Sequence, residues 1–146
     1  MQSLEKLKPL ALLFLRVALG AIFIYHGYPK LFTHTREALQ WFARMGFPSY
    51  FAYAAGILEF FGGCLLIAGL FTRVAGLLLA CEMAIALWRV HKIILEPMAV
   101  QNYELPLLLA TAAFALAALG AGPIAFDRIF FPEGRRSTRK TKNNKD

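Results

Sequence analysis

The chain has 146 residues, 58% of them hydrophobic, a mean hydropathy of +0.53, and a formal charge of +7 from sixteen Lys and Arg against nine Asp and Glu. Apolar stretches long enough to live in lipid make up more than half of it, and charges placed inside those stretches indicate a polar interior. No Gly-rich phosphate loop, HExxH, paired metal ligands at helical spacing, Ser nucleophile motif or inverted repeat is present; this removes the common self-contained hydrolase, metalloenzyme and nucleotide-binding classes and leaves the metal set at none.

A helix needs ~20 apolar residues to cross ~30 Å of hydrocarbon. The first such window covers about residues 9–28, and Arg16 interrupts it before any small-residue cleavage site, so it reads as a span and not as a cleaved signal peptide. At about 100° per residue, Arg16, Gly20, Phe23, Gly27 and Lys30 fall in one stripe. Residues 29–49 form the one long connection. Thr35 is expected to cap a short helix there, with Glu37 in its first turn and Leu39, Phe42, Met45 and Gly46 on one face beside Trp41, lying flat at the outer interface.

The second window, about 50–71, carries the stripe Gly56, Glu59, Gly63, Leu66 and Leu70, with Gly62 and Gly69 alongside. Gly20, Gly27, Gly62, Gly63 and Gly69 are candidate packing positions, because small residues let helix backbones approach in lipid. Counted from the ends of their windows, Arg16 and Glu59 both fall near the midplane, and the expectation is a buried ion pair between them. A tight turn at Thr72-Arg73 leads into the third window, about 74–94. There Glu82, Arg89 and Lys92 would each cost roughly 2.5–3.5 kcal/mol at the bilayer centre, so Arg89 and Lys92 are expected to snorkel at one end. Cys64 and Cys81 mirror each other about that turn and lack CxxC spacing; they read as packed, inert thiols. The fourth window, about 105–126, has no charge at all.

The fold expected is therefore all-α: a multi-pass four-helix transmembrane bundle over residues 1–130, followed by a disordered basic tail over 131–146. Ten basic residues lie before the first window, at the second connection and after the fourth window, against four on the opposite side, which places both termini in the cytoplasm. The tail suits anionic headgroups, at roughly 1 kcal/mol per basic residue near the surface. It has no module for reading nucleic acid.

With Glu59 assigned to Arg16, Glu82 and His26 still need partners. Tyr25, His26, Lys30, Glu82, Arg89, His91, Tyr103 and Glu104 gather toward the outer end and form the candidate ligand site. A polar cavity or a bound polar head group would supply those partners. Ligation of haem by His26 and His91 is a sharper but weaker alternative, since histidines near an interface are usually hydrogen-bonded or snorkelling.

RVALGAIFIYHGYPKLF (16–32), EFFGGCLLIAGLFTR (59–73), EMAIALWRVH (82–91), YELPLLL (103–109) and GAGPIAFD (120–127) occur in order and at natural spacing. Together they resemble the DoxX family of small four-helix bacterial membrane proteins, which implies a multi-pass protein of the bacterial inner membrane. The motif positions carried over are Arg16, Gly20, Gly27, Lys30, Glu59, Gly62, Gly63, Gly69, Arg73 and Asp127, none with an agreed catalytic role. The resemblance implies an accessory, quinone-interacting subunit of a membrane redox system that works with a soluble or membrane partner. Two other functions fit the residues: a non-enzymatic assembly or binding protein that holds a lipid or client segment, and a small-molecule conduit built as a homo-oligomer.

Overall fold

The computed structural model describes residues 5–89 and 100–127, with residues 100–102 as backbone. His91, Lys92, the end of the third window and the tail 131–146 lie outside the described residues. Within them the chain is helical, with no strand: α1 Lys8–Tyr28, a π-helical turn Pro29–Thr33, α2 Thr35–Arg44, α3 Phe51–Ala68, α4 Thr72–Arg89 and α5 Val100–Leu119.

The apolar sequence makes long helices that are greasy on the outside as well as within. Phe14, Phe61, Leu108 and Phe114 stand outward and exposed, the reverse of what water would select. The run Lys8–Thr33 and the helix Phe51–Ala68 are each long and apolar enough to cross a membrane. α1 lies along α3 and α4 along α5, with α3 against α4 and α1 touching α5. Leu19, Phe23, Leu66, Leu79, Ala113 and Leu116 fill the space between them, almost fully buried.

The α1–α3 contact is a backbone contact. A Cβ built on Gly20 would stand 2.6 Å from the carbonyl oxygen of Gly63, and one on Gly63 would stand 2.6 Å from that of Gly20. Two turns further on, Gly27 meets the backbone of Gly56 and Phe60, and Gly62 faces Leu79. Four of the five glycines expected at helix interfaces are there. Gly69 acts differently. It ends α3 in the left-handed conformation (φ +69°), and the N–H groups of Gly69 and Leu70 return to the carbonyls of Leu66 and Leu65.

Several expected boundaries move. The turn between α3 and α4 is Gly69–Phe71, because Gly69 stops the helix; Thr72 and Arg73 already belong to α4. The short amphipathic helix forms, with His34 at its N-cap and Thr35 as its first helical residue. The fourth window is helical only to Leu119: Gly120 and Gly122 take positive φ (82° and 79°), so residues 120–127 fold back as irregular chain. Cys64 and Cys81 are exposed on the outer helix faces, not packed, since the helix seams belong to the glycines.

Because no rotamer change can relieve a backbone–backbone clash, Gly63→Leu should destabilise the protein by about 1–3 kcal/mol or prevent its accumulation. The exposed Ala18→Val serves as the control. Thermal unfolding in detergent reads both, and equal effects would mean that the α1–α3 contact is not the tight one.

Candidate functional site

The buried charges separate into two groups, one near each end of the helices. At the first, the backbone of α1 does not stop at Tyr28. It widens into the Pro29–Thr33 π turn, closed by the N–H of His34 donating to the Pro29 carbonyl at 2.8 Å. Pro29, at the first position of this turn, brings no N–H of its own, so α1 gains no backbone bond from it. Lys30 is thereby carried over α3, where its Nζ donates to Glu59 Oε1 at 2.6 Å and to Oε2 at 2.5 Å. Glu59 is 3% exposed.

The partner of Glu59 is thus Lys30, and the expected Arg16–Glu59 pair is not formed. The register of the helices explains this. Gly20 sits opposite Gly63 and Gly27 opposite Gly56, which places Glu59 near the Gly27–Lys30 end of α1 and Arg16 near Gly69. The two side chains are then offset by roughly 12 Å along the axis at 1.5 Å per residue.

Arg16, 1% exposed, belongs to the second group. Its NH1 donates to the carbonyl of Ala121 at 2.7 Å and its NH2 to that of Ile124 at 2.8 Å. These are the carbonyls released where residues 120–127 leave helical geometry. Asp127 completes the closure: Oδ1 accepts from the Phe71 N–H at 2.6 Å, Oδ2 from the Thr72 N–H at 3.0 Å, and its own N–H donates to the Gly69 carbonyl at 2.8 Å. Arg73 donates to the Ala118 carbonyl at 3.1 Å. A side chain at Gly69 would collide with the Arg16 guanidinium. Asp127, Thr72 and Arg73 therefore do what the charge pattern alone did not reveal, and the helix-stopping GAGP before Asp127 was the available signal.

Three buried polar atoms lack a hydrogen-bond partner among the described residues: Arg16 Nε, Thr72 Oγ1 and Glu82 Oε2. The first two are sealed within the Arg16 group. Glu82 projects from α4 toward the other one, close enough to Glu59 and Lys30 to feel both charges, and the residue as a whole is only half-buried.

The other expected ligand residues divide. His26 and Lys30 line an open groove of about 490 Å³ between the end of α1 and α2, with His34, Glu37, Trp41 and Arg44. Tyr25 is 76% exposed, edge-on to His26, and His26 Nδ1 donates to the Ile22 carbonyl at 2.8 Å. Arg89 leans over Phe47 and Trp88 with its guanidinium carbon 5.4 and 5.6 Å from the ring centres, a cation held against aromatic faces. Tyr103 is half-buried near the start of α5 and Glu104 is exposed. The structure therefore brings His26 and Lys30 to one groove and Lys30, Glu59 and Glu82 to one cluster, with Lys30 common to both.

Apolar outer faces around a charged interior define a helical membrane protein. The chain belongs to the DoxX family, whose model, described simply as DoxX, matches residues 11–92. It is 36% identical over 135 residues to an uncharacterized protein of Haemophilus influenzae, covering 90% of this chain and 98% of that one. It is 35% identical over 119 residues to a Bacillus subtilis protein named "Putative oxidoreductase CatD", covering 82% of this chain and 86% of the relative. No solved structure matches the chain.

The observed pairing has a direct thermodynamic test. Removing one member of a buried pair leaves the other uncompensated, so Lys30→Met or Glu59→Met alone should cost about 3–5 kcal/mol, and the double variant should recover a large part of it. Arg16→Met and Glu59→Met should instead be additive within about 0.5 kcal/mol. Coupling in the second cycle and none in the first would restore the Arg16–Glu59 pair.

Proposed function

We propose that this protein is a quinone-interacting membrane subunit of a bacterial redox system, with its ring-binding site at Lys30, Glu59 and Glu82 and the His26 groove as the entrance. The observation that carries the reading is Glu82 Oε2: a carboxyl oxygen shut away from solvent with no partner among the described residues, next to a Lys–Glu pair. Leaving such an oxygen unpaired costs free energy that a bound polar head group recovers. An apolar ring and tail suit the surroundings, since the exterior of every long helix offers hydrocarbon contacts. The relative named as an oxidoreductase supports redox chemistry in preference to conduction.

In this reading the chain binds and positions the quinone, and a soluble or membrane partner exchanges electrons with it. Lys30 offers a donor and fixes Glu59; Glu82 is the group able to exchange a proton with a ring oxygen. The chain sits in the inner membrane with both termini in the cytoplasm, its basic tail against anionic headgroups.

Two measurements decide this. Organic extraction of the gently solubilised protein, followed by mass spectrometry, should yield quinone in near-stoichiometric amount, reduced about tenfold or more in Glu82→Leu; an extract holding only phospholipid would refute the proposal. For topology, a C-terminal green fluorescent protein fusion should fluoresce and a C-terminal alkaline phosphatase fusion should be inactive, and the opposite pattern would invert the orientation.

A further inference from the structure

What lies on either side of the Lys30 cluster decides how water reaches it. Toward the groove the way is polar and open. The Lys30 side chain whose Nζ holds Glu59 is itself partly exposed and lines the groove beside His26, and Glu82 stands within electrostatic range of both charges. Toward the Arg16 end the way is apolar and shut. Leu19, Leu66, Leu79 and Leu116 are almost without exposure there. The seams between the helices close on backbone or on leucine: Gly20 against Gly63, Gly62 against Leu79, and Gly76, where a Cβ would stand 2.8 Å from the Ala113 carbonyl oxygen and 3.0 Å from the Ala117 nitrogen. Among the described residues the buried polar side chains are Glu59 at one end and Arg16 and Thr72 at the other. The layer between them therefore offers a water molecule nothing to bond to, and an apolar space of that kind stays dry.

The Arg16 end is no second mouth. Its terminal guanidinium nitrogens are spent on the carbonyls of Ala121 and Ile124, and Asp127 on the N–H groups of Phe71 and Thr72. We infer that the Lys30–Glu59–Glu82 cluster is a one-sided site: water and protons exchange with it through the groove, and not from the face at which α1 begins and residues 120–127 fold back. A proton that a ligand gains or loses at Glu82 is then exchanged with the groove face. The inference goes beyond the quinone reading, because it holds for any ligand with an exchangeable proton. Under that reading it names the side of the membrane that supplies or takes the proton of a ring oxygen.

Thiol labelling from one face at a time tests this with the full-length protein in sealed membrane vesicles. In a Cys64→Ala, Cys81→Ala background, a membrane-impermeant methanethiosulfonate is added outside; it reacts with an ionised thiol, and a thiol ionises where water reaches it. Glu5→Cys, exposed just before α1, marks the vesicles in which the Arg16 face is outward. Glu82→Cys should react at least tenfold faster in vesicles of the opposite orientation. Ala86→Cys, half-buried one turn nearer the groove end of α4, gives the same comparison if Glu82→Cys does not accumulate. Equal rates from the two faces, a faster rate from the Arg16 face, or no reaction before detergent is added overturns the inference. Each of those results leaves the proposed function to the quinone extraction, which probes the wild type and does not depend on the route of access.

Discussion

A backbone carbonyl that leaves helical geometry away from water has to be met by a donor from within the protein. Residues 120–127 create that demand, because the glycines at 120 and 122 turn the chain out of α5 while it is still against the other helices. Arg16 is the donor. Its two terminal nitrogens take the carbonyls of Ala121 and Ile124, and a guanidinium with several fixed N–H groups can do so where an ammonium would serve one point. The rest of that end follows: Gly69 has to lack a side chain to leave room for Arg16, the resulting left-handed turn frees the N–H groups of Phe71 and Thr72, and Asp127 accepts them. A basic side chain in α1 thus fixes where the chain after α5 lies and how α3 meets α4.

That arrangement frees Glu59 for a different partner. With Arg16 committed to carbonyls, the buried carboxylate of α3 is matched by Lys30 from the π turn, and Glu82 Oε2 is left without a hydrogen-bond partner among the described residues. Between the two groups lie Leu19 and Phe23 of α1, Leu66 of α3 and Leu79 of α4, all essentially without exposure. The helices therefore carry a dry layer between a closed polar end and an end that meets a groove.

Much of this is legible in the sequence. Of the stripe Arg16, Gly20, Phe23, Gly27 and Lys30, the first four lie on the buried face of α1, and Gly56, Glu59, Gly63 and Leu66 on that of α3, because helical periodicity depends only on local geometry. The pairing of the charges is not, as long as depth is counted from the ends of hydropathy windows, which drift by several residues. A better ruler is present: Gly20 and Gly27 are seven apart, as are Gly56 and Gly63, and matching those intervals antiparallel sets the register that the structure adopts. The end of α5 is overrun for a related reason. Hydropathy does not distinguish an apolar helix from an apolar loop, whereas Gly120, Gly122 and Pro123 do. The π turn has no sequence signal beyond Pro29, and the roles of Asp127 and Thr72 depend on contacts across more than fifty residues of chain.

The two ends differ in whether their unmet polar atoms, counted among the described residues, can be reached from outside. At the Arg16 end the unpaired atoms, Arg16 Nε and Thr72 Oγ1, belong to residues that are 1% and 0% exposed and are enclosed by backbone already tied in place, so nothing from outside reaches them. At the Lys30 end the unpaired atom belongs to Glu82, a residue that as a whole is only half-buried, and nearby Lys30 forms part of an open groove wall. An unmet hydrogen bond that is enclosed is a cost of the fold. One that lies beside an entrance can be met by a ligand, and the proposed placement of a ligand at the Lys30–Glu59–Glu82 end rests on this asymmetry more than on the number of charges in the interior.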